Sequence, residues 1–297
     1  MFRNEQLALL AMLNDEGRSD VRELAQRLQM VRAETVRSLL DRALERANDP
    51  GLLWKADPLL GQILKETAGQ DKFNRYLKSV EQYLAKGVKL IDYWDEGYPE
   101  SLRYISNPPL LLFVKGAIFP GSSPVAIVGT RRASLLGRKL AHEYGAFFAE
   151  RGRTVVSGLA RGIDSAAHAG ALEARGSTVA ILAGDIDYVY PPENAKLAEE
   201  IKKDGALVSE VTRHAFVHKG RFVERNRITS GLSKAVVVAE SVRTGGTLQQ
   251  VKFALSQGRP TYVIDQGEFD NPEAKEGFRR LVEMGAVAIR SPKDVER

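Results

Sequence analysis

From Val125 to the end of the chain, short apolar runs alternate with helical stretches, and this alternation fixes the class of fold. The runs are VAIVG, TVVSG, TVAILAG, ALVSE, AVVVAE, TYVID and AVAI. Helical patterns lie between them, at Gly137 to Glu150, Ile163 to Ala174, Asn194 to Lys203, Thr247 to Gln257 and Glu273 to Met284. A near-continuous apolar strand is buried on both faces, which a parallel sheet covered by helices provides. Right-handed crossovers then predict a Rossmann-like, doubly wound, mainly parallel α/β sheet for residues 125–297.

The segment ahead of this sheet reads differently. Residues 1–87 lack strand patterns and carry apolar positions at helical spacing: Leu7, Leu10 and Ala11; Val21, Leu24, Ala25 and Leu28; Val36, Leu39, Leu40 and Ala43. They predict a small helical N-terminal domain. A helix-turn-helix with Met30 and Val31 at its turn and a second helix over Ala33 to Leu44 fits the spacing, and so does a plain helical bundle. Residues 88–124 form a bridge: a short apolar strand, a Tyr-Pro turn, an apolar run after Pro108 and Pro109, and a turn-rich joint from Phe119 to Pro124.

Composition removes some classes of function. The chain has no cysteine, which excludes disulfides and thiolate metal sites. No apolar stretch approaches the roughly 18 residues of a membrane span. The N-terminus, flanked by Glu5, Asp15 and Glu16, reads as an amphipathic helix rather than a signal peptide, and a cytoplasmic location is expected. Net charge is +5, and between Val211 and Arg227 five cations (Arg213, Lys219, Arg221, Arg225, Arg227) face one anion, Glu224. Concentrated positive charge suits a polyanion, and the interleaved Phe216 and Phe222 offer flat faces for unpaired bases. A solvated surface loop is the plain alternative for such a run.

Small residues mark four strand ends: Gly129-Thr130-Arg131-Arg132, Ser157-Gly158-Leu159-Ala160-Arg161-Gly162, Ala183-Gly184-Asp185 and Arg243-Thr244-Gly245-Gly246-Thr247. In a parallel sheet these loops share the carboxyl edge, where ligands bind. Glycine lets backbone N–H groups approach an anion, and a following helix N-terminus adds positive potential. Thr130, Ser157 and Thr247 can donate hydroxyl hydrogen bonds to phosphate, with Arg131 and Arg161 beside them. Glycine at such turns is also commonly structural. The first loop fits neither G-x-x-x-x-G-K-S/T nor G-x-G-x-x-G, so neither nucleotide hydrolysis by that route nor a dinucleotide cofactor is expected.

Several residues have plain readings. Asp164 and His168 share a helix face, and are expected to be a helix-start carboxylate and a packed histidine rather than a metal or acid–base site. Asn226 could position backbone instead of touching a ligand. Glu240 could orient the arginines. Tyr188 and Tyr190 near Pro191 are expected to pack a turn.

The runs IVGTRRAS, VVSGLARGIDSAAHAGAL, AGDIDYVYPPEN, LVSE, RFVERNRITSGLS and VVVAESVRTGGTLQQVKFALSQGRPTYVI resemble, in unbroken order over about Lys89 to Gly267, the DNA-processing protein A family, also called Smf. The resemblance implies sequence-tolerant binding of single-stranded DNA, delivery of it to the recombinase RecA during natural transformation, homodimers, and no catalytic turnover, metal or cofactor. It implies an anion pocket at Gly129, Thr130 and Arg131, lined also by Ser157, Gly158, Arg161 and Gly162. Lys219 and Phe222 have the spacing of the family's lysine and aromatic, and Arg225, Asn226 and Arg227 match its R-N-R element. On the residues themselves, Arg131, Lys219 and Arg225 would pair with phosphates and Phe222 would stack on a base, and Gly245, Gly246 and Thr247 add a further phosphate-fitting loop.

The chain departs from many members by lacking a glycine-rich N-terminal signature and a winged helix after the sheet, so an accessory DNA-binding element is expected, if anywhere, in residues 20–44. Two rival readings stand beside this one. Phosphoribohydrolases on related folds carry P-G-G-x-G-T-x-x-E, but here Thr244 to Gln250 has neither the proline nor a following carboxylate. A nucleotide sensor would use the same loops without needing a long charged track.

Overall fold

The computed structural model describes residues 2–16, 19–45, 70–116, 123–216, 218–267 and 272–296; most of the joint read from Phe119 to Pro124 lies outside them. The chain divides into two compact units. The first takes in Met1–Tyr98, Asn107–Val114 and Ser209–Phe216; the second takes in Pro99–Ser106, Lys115–Val208 and Val217–Arg297.

In the first unit, helix α1 (Asn4–Glu16) is apolar on every side, and Leu7 to Leu13 are all buried. A helix of that kind needs neighbours all round. It packs against α2 (Ser19–Gln29), α3 (Ala33–Glu45) and α4 (Gln70–Ala85). The break at Met30 to Arg32 between α2 and α3 falls where the sequence places it. Strand β1 (Lys89–Asp92) pairs antiparallel with β2 (Leu111–Gly116), with Leu90 opposite Phe113. The C-terminal end of α1 is tied to these later segments by side chains. Asn14 accepts from Leu110 N at 3.0 Å and donates to the carbonyls of Leu111 and Glu210 at 2.7 and 3.0 Å. Asp15 accepts from the Thr212 amide at 2.9 Å and from its hydroxyl. Arg213, grouped by sequence with the basic segment, belongs here: its guanidinium lies 5.0 Å from the centroid of the Tyr83 ring.

The second unit holds the parallel sheet. Its strands are β3 (Val125–Gly129), β4 (Val155–Ser157), β5 (Thr178–Ile181), β6 (Ala206–Ser209), β7 (Ala235–Glu240), β8 (Thr261–Ile264) and β9 (Val287–Ile289), in the order β6-β5-β4-β3-β7-β8-β9. Every described pairing among them is parallel. Alternate residues of β3 feed two cores. Val125 and Ile127 join Tyr144, Phe148 and Ala167 from α6 (Leu135–Glu150) and α7 (Ile163–Glu173). Ala126 and Val128 join Val251, Ala254 and Leu281 from α11 (Gly246–Ser256) and α12 (Pro272–Glu283). Helices on both faces make the sheet doubly wound. Helix α8 (Ala195–Asp204) leads into β6, and the short α5 (Glu100–Arg103) lies in the same unit. Strand order reverses between β3 and β7, and at such a switch point the loops diverge and leave a crevice.

From Lys219 onward the basic segment is helical rather than a loop. It forms α9 (Lys219–Glu224) and α10 (Asn226–Leu232), separated by Arg225. The reason is local: His218 Nδ1 accepts from Gly220 N at 3.0 Å and caps α9, and the carbonyls of Arg221 and Arg225 carry the chain on into α10.

Candidate nucleic-acid interface

The loops at the carboxyl rim are held by their own backbone. Thr130 N donates to Glu240 O at 2.9 Å, and Thr130 O accepts from Ile163 N at 3.3 Å, so the loop after β3 is pinned to β7 on one side and α7 on the other. Gly162, at φ +79°, passes so close that a Cβ there would lie 2.5 Å from Thr130 O. The amides of Gly158 and Ala160 donate to the Asp164 carboxylate at 3.1 and 3.4 Å. Leu159 between them has φ +57°, a conformation that costs a side-chain-bearing residue roughly 1 kcal/mol, and its carbonyl accepts from Asn194 Nδ2 at 2.9 Å.

The cations of α9 and α10 part into two groups. Lys219 is exposed, whereas Arg221, Arg225 and Arg227 are only 6, 6 and 7% exposed. Arg225 lies flat on Gly158, where a Cβ would collide with Nη1, and it faces Asp164. Burial pushes the Asp164 carboxyl above the usual range, against the pull of Arg225 and the two amides. Burial also lowers the Arg225 guanidinium, whose Nε has no hydrogen-bond partner. Arg227 donates from Nη1 to Glu224 O at 3.1 Å, and Arg221 pairs with Glu224 at 3.5 Å. Three arginines of the segment are therefore built into the protein.

At the switch point these parts enclose a cavity of about 510 Å³. Its walls include Gly129, Thr130 and Arg131 from the first loop, Gly245, Gly246 and Thr247 at the start of α11, and Lys219, Phe222, Arg225 and Asn226. The lining holds three cations (Arg131, Lys219, Arg225) against one carboxylate, Asp164, which Arg225 already faces. The α11 N-terminus has no side-chain cap, and open space surrounds the Cβ positions of Gly245 (φ +128°) and Gly246. First-turn amides there can receive an anion. Arg131 sits over the Phe222 ring at 4.8 Å, and Phe222 meets Tyr190 edge-on at 5.7 Å. Asn226 supports this wall: its Nδ2 donates to Gly246 O at 3.4 Å and its carbonyl accepts from Gln250 Nε2 at 3.0 Å.

Other expected residues stand elsewhere. Ser157 is wholly buried and its hydroxyl donates to Ile127 O at 2.6 Å, so it has nothing to offer a phosphate. Arg161 is exposed and ion-paired with Glu193, outside the larger cavity. Gly158, Gly162 and Arg227 shape the floor without lining that cavity. Glu240 does not orient arginines. It accepts from Ser134 N at 3.0 Å and from the Ser134 hydroxyl, which itself caps α6 through Gly137 N at 2.8 Å. Tyr190, read as turn packing, instead lines the cavity beside Phe222; its aromatic neighbour lies more than thirty residues away, so no local pattern marks it.

Asp164 is buried and capped, as the plain reading expects. His168 is fully buried, with Nδ1 2.6 Å from Thr178 Oγ1, and burial drives its pKa down to about 3, so the ring is neutral near pH 7. Among the described residues no cluster could hold a metal ion, and no helix is long and apolar enough to cross a membrane.

The family model of DNA recombination-mediator protein A matches residues 89–297. The chain is 34% identical over 266 residues to the DNA processing protein DprA of Bacillus subtilis, across 83% of this chain and 89% of that one. It is 37% identical over 202 residues to the Smf protein of Escherichia coli, across 67% of this chain and 54% of that one. The X-ray structure of DprA from Streptococcus pneumoniae superposes with a TM-score of 0.71 at 26% identity, covering 98% of this chain and 96% of that one. A structure of DNA processing protein A from Helicobacter pylori, described for its single-stranded DNA binding mode, superposes with a TM-score of 0.61 at 26% identity, covering 70% of this chain and 93% of that one.

Proposed function

Because the chain belongs to the DNA recombination-mediator protein A family, we propose that it binds single-stranded DNA, whatever its sequence, at the carboxyl rim of its parallel sheet and passes the strand to the recombinase RecA. The observation that carries this reading is the cavity at the β3–β7 switch point, where Arg131, Lys219 and Phe222 meet the uncapped N-terminus of α11. Phosphates take the Arg131 and Lys219 side chains and the amides of Arg131 and of Gly245 to Thr247. A base takes the face of Phe222. Arg225 and Asn226 hold the wall. Charge, main-chain amides and an aromatic ring read no base edge, which favours sequence tolerance. The H. pylori relative is described as binding the same ligand. Delivery to RecA, homodimer formation, a cytoplasmic setting and a role in DNA uptake or recombination without catalytic turnover rest on family membership.

Fluorescence anisotropy with labelled oligothymidylates of increasing length, beside duplexes of equal length at two salt concentrations, tests the reading. Affinity should grow with strand length, exceed that for duplex, and fall with salt at a log–log slope of about −1.4, near −0.7 for each of the two cation–phosphate contacts. Equal affinity for duplex and single strand would overturn it. Affinity that saturates at a single nucleotide would favour a nucleotide sensor.

A further inference from the structure

We propose that the rim carries a second base-binding cavity, and that the Phe222–Tyr190 ring pair is a wedge that parts two consecutive bases of one bound strand. The inference rests on the single-strand reading and deepens it. A second cavity, of about 430 Å³, opens beyond the first. Its inner wall is Leu182, Ala183 and Gly184, which leave strand β5, and Tyr188 stands at its side. Tyr190, Lys219 and Phe222 line both cavities, so they form the ridge between them.

The two cavities differ in chemistry. The first gathers three cations and a helix N-terminus. Among its described lining residues the second has no carboxylate and a single cation, Lys219, on the ridge; the others are apolar, aromatic or glycine, with His218 at the entrance to α9. Such a lining suits a flat, weakly polar group better than a phosphate, and a nucleobase is that group. The occupant follows from continuity. A strand whose phosphate sits on Lys219 at the crest has one nucleotide on either side, and the neighbouring base falls into the second cavity. The ridge is firm enough to separate bases, because Phe222 is held by the Arg131 guanidinium at 4.8 Å and by the Tyr190 ring at 5.7 Å, tilted by 63°. Apolar side chains inserted between bases part their stack in the same way elsewhere.

An oligothymidylate with two adjacent 2-aminopurines provides the test, because stacking of the pair quenches its emission. At saturating wild-type protein the emission should rise several-fold as the ridge separates the pair. Phe222→Ala, brought to saturation, should bind without that rise. Ala183→Trp, with wild-type circular dichroism, fills the second cavity; it should weaken binding of long oligothymidylate by about tenfold, in the range of one lost stacking contact, and leave competition by thymidine 5′-monophosphate unchanged. Saturated wild-type binding with no rise in emission overturns the wedge while leaving single-strand binding intact, as does undiminished affinity of Ala183→Trp. Absence of any oligonucleotide binding overturns both readings.

Discussion

The rim of the cavity and its floor carry the same kinds of residue and use them in opposite ways. On the rim, Arg131 and Lys219 are exposed, and Arg131 touches an aromatic ring rather than a carboxylate. In the floor, Arg225 is buried on Gly158 beside Asp164, and Arg227 is bound to the Glu224 carbonyl. The motif R-N-R therefore belongs mainly to the architecture, while the lysine six residues before Arg225 is exposed on the wall of the cavity. Positive charge in a sequence can mean a contact or a strut, and exposure decides which.

The sharpest way to break this contrast is to remove the strut. Arg225→Met leaves the Asp164 carboxylate buried without its cation, which typically costs about 3–5 kcal/mol of stability, measurable by urea unfolding. Its pH dependence has a definite sign. The folded carboxyl is already raised by burial, and the variant loses the cation that opposes the rise. The unfolded chain ionises first as pH climbs past about 4. The loss of stability should be smallest near that pH and grow toward neutrality; a loss that shrinks as pH rises would place the strut elsewhere. On the rim, Phe222→Ala should weaken single-strand binding by about 1–3 kcal/mol with an unchanged salt slope, since a ring releases no counterion. Arg131→Ala and Lys219→Ala should each weaken binding by about 0.5–1 kcal/mol and flatten the slope by about 0.7, with the unfolding midpoint unmoved. Destabilisation by either would erase the distinction between rim and floor. The smallest effect belongs to Arg161→Ala. Its exposed pair with Glu193 lies outside the larger cavity, and both affinity and unfolding midpoint should stay at wild-type values.

The sheet was legible because its strands, buried on both faces, leave a run of apolar residues that few other structures need. The helices between them follow from the same periodicity, and the two cores appear as the alternate residues of β3. The loops after β3 and β7 were also legible, as small residues at strand ends. What escaped was the fate of individual polar groups. Ser157 and Thr130 both follow apolar strands, yet the Ser157 hydroxyl turns inward to Ile127 while Thr130 lines the cavity. Glu240 serves Ser134, more than a hundred residues earlier. Arg213 stacks on Tyr83 in another unit from Lys219, although six positions separate them. These outcomes depend on partners that only the fold brings near.

Leu159, held with positive φ between two amides that grip Asp164, means that the floor is fixed by the chain's own hydrogen bonds. A floor fixed in advance leaves little of itself to rearrange. On the proposed reading, capture of a strand would proceed at the pace of encounter, proportional to strand concentration and hastened by attraction between opposite charges. Brine should slow arrival steeply, and how long a strand stays should depend on what it touches at the surface.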